Sequence, residues 1–177
     1  YYSPDFRNHA VAHLISDVFK NHDKDNYQII GFNLNKWLDD SNTQKISQHF
    51  DKFLTMKHSS DEEIISKSKD LKIDIAIDLC GPTTDNRIGI FLKRVAPIQI
   101  NFLGYPGTIG TFMDYIIADK YLIPNENQKF YFEKIIYMPY TYQPFANIEI
   151  NHEKKNFKKE FNLPQSGIIY GCLNNNY

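Results

Sequence analysis

Ile73-Asp74-Ile75-Ala76-Ile77-Asp78-Leu79, running into Cys80-Gly81-Pro82-Thr83-Thr84-Asp85-Asn86-Arg87, is the stretch whose reading decides the fold. The first seven residues are a β-branched run and form the most secure strand of the chain. Gly81-Pro82 ends it, and a helix is expected around Ile88 to Arg94, broken in turn by Ala96-Pro97. Working outward, Tyr27 to Phe32, Ile98 to Leu103, Tyr115 to Ala118 and Lys134 to Met138 also read as strands. Tyr1-Tyr2 reads as a strand ending at Ser3-Pro4, before a helical pattern at Val11, Leu14, Ile15, Val18 and Phe19. Ser59-Ser60-Asp61-Glu62-Glu63 starts a helix that runs to about Lys69, with hydroxyl caps and acids in its first turn. Residues 33 to 60 are the least regular, and Trp37, Leu38, Ile46, Phe50, Phe53 and Leu54 fit a helix followed by a short strand. Pro124 to Phe132 suggests a short helix. Strands alternating with helices, with apolar strand runs, predict an α/β, Rossmann-like parallel sheet with helices on both faces.

In such sheets ligands bind beyond the carboxyl ends of the strands. Three loops leave strand ends, at Ser3 to His9, Gly81 to Arg87 and Gly104 to Thr111, so a parallel sheet opens all three on one edge. The first carries Asp5 and His9, and His13 follows; spaced by four, the three would be aligned on one face by a helical turn begun near Asp5. An acid and two imidazoles there suggest proton transfer. The other reading is a capping Asp5 and two surface histidines. His9, in the first turn, would be held neutral by the helix dipole, and His13, one turn deeper, would pack or brace. Arg87 at a helix start opposes the dipole, which favours an anion-facing role. Gly104 and Gly107 serve a tight turn, or a sugar or phosphate against bare backbone, equally well. Thr83 and Thr84 read as ordinary loop hydroxyls, and His22, His49, His58 and His152 as surface residues. Asp23-x-Asp25 matches the acidic signature of metal-dependent glycosyltransferases, but among turn formers it reads as a solvated turn rather than a metal site.

Composition narrows the classes. The chain has 177 residues, 42% apolar and 23% charged, as expected of one ordinary globular domain. Its 20 basic and 21 acidic residues create no field that invites nucleic acid or an anionic membrane. No apolar run reaches membrane-helix length and no signal-peptide pattern is present. Cys80 and Cys172 lack metal-like spacing and imply a reducing, cytoplasmic setting. There is no Gly-rich phosphate signature and no Gly-x-Ser-x-Gly elbow.

The motifs then fall in a recognisable order. Ser3-Pro4-Asp5-Phe6-Arg7-Asn8-His9, Ile73-Asp74-Ile75 with Asp78-Leu79-x-Gly81 and Asn86-Arg87, Arg94-x-Ala96-Pro97-Ile98-Gln99, Leu103-Gly104-Tyr105-Pro106-Gly107-Thr108, Asp114-Tyr115 and Asp119 follow one another. Tyr131-x-Glu133-Lys134, Met138-Pro139 and Tyr170-Gly171-Cys172-Leu173-Asn174-Asn175 continue the series. Together they closely resemble the catalytic region of O-linked N-acetylglucosamine transferases and their SPINDLY-like relatives. The resemblance implies the amino-terminal lobe of a GT-B glycosyltransferase, metal-independent and inverting. It would move N-acetylglucosamine from UDP-GlcNAc, a substrate rather than a cofactor, to Ser or Thr hydroxyls of acceptor proteins. By position, Asp5 and His9 match the family's active-site acid and histidine, and His13 a second histidine of some members. Leu103, Gly104 and Pro106 match the loop lining the sugar pocket, and Arg87 a basic residue near the cleft.

The resemblance also divides the chain into a catalytic lobe (1–150), a charged linker or helix (151–166) and the first strand of a nucleotide-binding lobe (167–177). The rest of that carboxyl-terminal lobe, and helical repeats that recruit protein substrates, are expected elsewhere in a longer polypeptide, so these residues alone should transfer no sugar. Pro82, where relatives carry His or Tyr, and Ser66 and Ser68 depart from the pattern. Pro106-Gly107-Thr108 and His13 favour the N-acetylglucosamine branch over the fucosyl branch, whose loop tends to read Gly-Tyr-Pro-Asn. Transfer of fucose from GDP-fucose, or a non-catalytic protein-binding role, remain as alternatives.

Overall fold

Residues 1–145 and 157–172 are described by the computed structural model. The chain divides into two compact units, Tyr1–Asn147 and Ile148–Tyr177. In the first, β1 (Tyr2–Ser3) leads to α1 (Ala10–Lys20), β2 (Ile30–Asn33), α2 (Ser41–Ser47), β3 (Lys52–Thr55), α3 (Asp61–Asp70) and β4 (Ile75–Asp78). Next come α4 (Gly89–Leu92), β5 (Ile98–Asn101), β6 (Tyr115–Ala118), a 3-10 turn (Asn125–Phe130) and β7 (Lys134–Tyr137). The strands form one sheet in the order β3-β2-β1-β4-β5-β6-β7, and every neighbouring pair is parallel.

Alternation along these strands sends side chains to two cores. On one face Tyr2, Ile30, Phe32 and Ala76 pack with Ile64 of α3 and with Ile90 and Phe91 of α4. On the other, Ile29, Phe53 and Ile77 meet Val11, Ala12, Ile15 and Phe19 of α1 and Ile46 of α2. Helices therefore cover both faces, as the apolar strand runs predicted. The second core is largely aromatic: Phe19 and Phe50 approach to 4.6 Å between ring centroids, and Phe6 lies 5.5 Å from Phe50. Each such ring contributes about 1.5–3 kcal/mol by leaving water.

Local chemistry explains the helix starts. Ser60 accepts from the Glu63 amide while the Glu63 carboxylate accepts from the Ser60 amide, the reciprocal cap that Ser60 and Glu63 imply. Asp40 caps α2 in the same way with Thr43. Ser68 is fully buried in α3 and bonds the Tyr2 hydroxyl at 2.6 Å. Its hydroxyl satisfies a phenol that would otherwise be stranded in the core.

Several boundaries differ from expectation. The strand expected to reach Leu103 ends at Asn101, because Leu103 adopts φ 71° and turns the chain out of the ladder. The helix after Arg87 is only four residues, and Arg94 at φ 56° terminates it. In the second unit, α5 (Phe157–Glu160) is followed by a turn in which the Leu163 amide donates to the Lys158 carbonyl at 2.7 Å. The strand expected over 167–173 is not formed at residues 167–172, where Ile168 and Tyr170 are exposed and no partner strand lies among the described residues. Residues 151–156 of the charged linker, His152 among them, and residues 173–177 lie outside the described residues.

The strand order positions the site. Chain order runs outward from β1 to β2 and β3 on one side, then resumes with β4 to β7 on the other. The reversal falls between β1 and β4, and the loops leaving those strands diverge there to open a crevice at the carboxyl edge.

Candidate active site

A cavity of about 250 Å³ occupies that crevice, lined by Asp5, Arg7 and His9 from the loop after β1, Val11 from the start of α1, Thr83, Thr84 and Asp85 after β4, and Gly104 after β5. All three loops expected at this edge therefore meet. Phe6 accounts for the first: its ring is fully buried in the aromatic core, which anchors the loop between Asp5 and Arg7. The Asp5 amide donates to Ser3 Oγ at 2.9 Å and tightens the turn.

Asp5 does not cap the helix. His9 does, in extended conformation (φ −147°, ψ 152°), its Nδ1 accepting from the Val11 amide at 3.3 Å. The helix therefore starts at Ala10, and the i, i+4 helical face proposed for Asp5, His9 and His13 does not exist. Asp5 and His9 are nevertheless adjacent, with Nδ1 3.7 Å from Asp5 Oδ1, because the loop doubles back before the helix begins. Arg7 donates to Asp5 Oδ1 at 3.3 Å, and its Nε is buried without a hydrogen-bond partner among the described residues. Burial raises the Asp5 pKa above the ordinary carboxylate value; the charges of His9 and Arg7 oppose the rise and that of Asp85 adds to it.

The other expected residues divide. Gly104 lines the cavity, and Leu103 is buried just before it. Pro106 lies further along the same loop, with its carbonyl 3.5 Å from the Tyr131 hydroxyl. His13 is exposed on α1 and its Nε2 pairs with Asn8 Oδ1 at 2.9 Å, away from the cavity lining. The Arg87 guanidinium is held by Asp61 through Nε at 2.6 Å and by the Ser59 carbonyl at 3.1 Å. It answers the acidic first turn of α3 rather than the cavity. Arg7, Thr83, Thr84 and Asp85 were the residues that sequence reasoning left without a role. Arg7 had a signal, being inside the Ser3–His9 motif; the loop after β4 had only its place at a strand end.

Buried polar groups shape the rim. Asn101 at the end of β5 donates from Nδ2 to the Tyr105 and Gly107 carbonyls at 2.9 and 3.0 Å, clamping the loop that carries Gly104. Glu133 is buried and accepts from Thr108 Oγ1 (2.7 Å), the Ile109 amide (2.7 Å) and the Gly110 amide (3.2 Å). Glu133→Ala strands all three donors and is expected to cost about 2–4 kcal/mol of stability in urea unfolding. A loss below half that would mean the loop is held by other contacts.

Asp78 closes β4, fully covered, with its carboxylate accepting from the Cys80 and Gly81 amides at 3.0 Å each. Burial still pushes its pKa up to about 6. The folded chain thus holds this proton more tightly than the unfolded chain, so the group's contribution to stability falls as pH rises from about 4 and levels off above about 6. Measured against Asp78→Asn, which cannot titrate, the wild type is expected to lose about 2–3 kcal/mol between pH 4 and 7. A difference that stays flat across that interval would contradict the assignment.

The metal signature sits elsewhere. Asp23 and Asp25 belong to the turn leading into β2, at the opposite edge of the sheet, and the Asp23 carboxylate accepts from Asn26 Nδ2 at 2.7 Å. Among the described residues no three His, Cys, Asp or Glu side chains gather as a metal set, and no helix is long and apolar enough to cross a membrane.

Comparison with known proteins agrees with this architecture. The model of glycosyl transferase family 41 matches residues 1–161. A probable UDP-N-acetylglucosamine–peptide N-acetylglucosaminyltransferase, SEC, of Arabidopsis thaliana is 31% identical over 187 residues, covering all of this chain and 19% of that protein. The Caenorhabditis elegans UDP-N-acetylglucosamine–peptide N-acetylglucosaminyltransferase is 33% identical over 144 residues, covering 80% of this chain and 12% of the relative. A solved mutant of the Thermobaculum terrenum O-GlcNAc transferase superposes with a TM-score of 0.78 at 26% identity, over 81% of this chain and 28% of that one. The chain thus spans about a fifth or less of the curated relatives named here. SPINDLY proteins also match, among them one from rice at 27% identity, and the Rossmann-like lobe expected of a GT-B enzyme is the fold observed. The motifs, the parallel sheet and the comparisons converge: this chain belongs to glycosyl transferase family 41.

Proposed function

We propose that this chain is the amino-terminal catalytic lobe of a protein glycosyltransferase that moves N-acetylglucosamine from UDP-GlcNAc to Ser or Thr hydroxyls. The observation that carries the reading is the Asp5–Arg7–His9 constellation at the strand-order reversal of a family 41 chain. Inversion requires in-line attack: the acceptor oxygen bonds the anomeric carbon as the bond from that carbon to the diphosphate oxygen breaks. The acceptor proton leaves to a base, and the departing diphosphate takes the bonding pair. Asp5 suits the base, because burial strengthens a carboxylate's hold on a proton. His9, whose Nδ1 is engaged by the Val11 amide, keeps Nε2 free to orient the acceptor or sugar. Nothing in this scheme draws on a metal, and the one metal-type signature of the sequence lies at the far edge of the sheet.

Residues 148–177 are read as the passage to a second, nucleotide-binding lobe, in which the segment after Gly167 becomes a strand once partners flank it. Helical repeats and protein acceptors belong to the same reading, which the greater length of the relatives supports. GDP-fucose is the competing donor, and Pro106-Gly107-Thr108 favours UDP-GlcNAc. The test presents the full-length polypeptide with both donors and an acceptor protein and follows added mass by mass spectrometry. Addition of N-acetylhexosamine is the expected result; deoxyhexose alone, or no addition, rejects it.

A further inference from the structure

Asp85 is a carboxylate that the sequence assigned no task. It follows β4 and lines the same cavity as Asp5. Its backbone sits at φ 62°, a left-handed conformation that disfavours most residues with a Cβ and that Asp and Asn tolerate best. Lys36, in the loop after β2, reaches it at 3.1 Å. Since β1 lies between β2 and β4 in the sheet, this ion pair spans the loop after β1, the one bearing Asp5. The Asn8 amide donates to Asp40 Oδ2 at 2.6 Å and ties the loop after β2 to the same place.

We infer that Asp85, held by Lys36, is a positioning residue for the Asp5 carboxyl, a second acid lining the same cavity that sets the charge Asp5 carries when the acceptor hydroxyl arrives. The inference rests on the proposal that Asp5 accepts the acceptor's proton. The groups facing Asp5 can be named. Arg7 and His9 come from its own loop, Cys80 and Asp85 from the loop after β4, and the loop after β5 presents Gly104 without a titratable side chain. Arg7 and His9 favour the carboxylate, whereas Asp85 disfavours it. Lys36 neutralises part of that repulsion from outside the cavity. An ordinary surface ion pair would contribute little and would leave the chemistry untouched. One that controls a second carboxylate over the base acts on the reaction's pH dependence.

Two substitutions pull in opposite directions. Asp85→Asn keeps the left-handed backbone and removes the repelling charge, so the Asp5 titration midpoint is expected to fall by about half a pH unit. Lys36→Met leaves Asp85 unneutralised, so the midpoint is expected to rise by about the same amount. The double variant should return close to wild type. Midpoints are read in the full-length polypeptide from the carbon-13 carboxyl resonance of Asp5, assigned by its disappearance in Asp5→Asn. The acidic limb of the transfer rate against pH should move with them. Unmoved midpoints, or shifts of the same sign in both single variants, overturn the inference. Opposed shifts in a polypeptide that transfers no sugar would uphold the coupling of Asp85 to Asp5 and reject the proposed function, so the two failures are distinguishable.

Discussion

Asp5→Asn in the full-length polypeptide is expected to lower sugar transfer by about 10²–10⁴-fold, the usual contribution of a positioned general base. The loss should fall on kcat, since Asn keeps the shape of the side chain and the hydrogen bond from Arg7 while giving up the ability to hold the acceptor proton. His9→Ala is expected to cost on the order of a hundredfold, as removal of one preorganised donor does. It also removes the cap of α1, worth about 0.5–2 kcal/mol, so the His9 variant must be compared by unfolding as well as by rate. The Asp5 variant has no such structural excuse at the helix start, because the cap is not its own. Near-normal turnover in both variants, with donor and acceptor saturating, would remove the pair from the chemistry and leave it a structural turn.

Gly104→Ala carries the largest expected structural effect. A Cβ built there would drive into the Leu79 carbonyl oxygen and stand 2.8 Å from the Leu79 carbonyl carbon and 2.9 Å from Cys80 Cα. These are backbone atoms of the β4 loop, with no flexible side chain to swing aside, so the two loops must separate. Overpacking of this kind costs about 3 kcal/mol or more, or roughly 6–12 °C in Tm for a body of this size. Because the same movement widens the Asp5 cavity, transfer should fall together with Tm. Gly107→Ala makes an informative comparison: its Cβ would meet the Tyr105 ring at 2.6 Å, and that half-exposed side chain can rotate away. A Gly104 variant no less stable than the Gly107 variant would refute the backbone-contact argument.

What was legible in the chain follows from the range of the interactions involved. Strands and helix caps are written in neighbouring residues, so the run at Ile75–Asp78 and the Ser60–Glu63 cap were readable directly. The acid and histidine of the candidate site stand in one motif, but a helical turn is not the reason for their adjacency. A helical turn does not bring Asp5 to His9; a bend does, anchored by Phe6 in an aromatic core drawn from Phe19, Phe50 and Phe53. Arg87 shows the complementary failure. Its position against the dipole suggested an anion, and the anion is Asp61 of α3, a residue brought near only by packing of α3 on α4. His13 likewise found its partner, Asn8, across the start of α1, in a loop whose course no periodicity encodes.

Sequence by itself determined that this is a parallel α/β chain of a glycosyltransferase family, with an acid and a histidine at the end of its first strand, because apolar alternation, cap residues and motif order are local properties. Only the tertiary structure decided that β1 pairs with β4 as well as β2, which places the reversal of strand order, and with it the cavity, between the loops of Asp5 and Asp85. That pairing joins residues more than seventy positions apart, Tyr2 and Asp78. It is selected by burial on two sheet faces at once, a quantity that belongs to the whole packed sheet and to no segment of it.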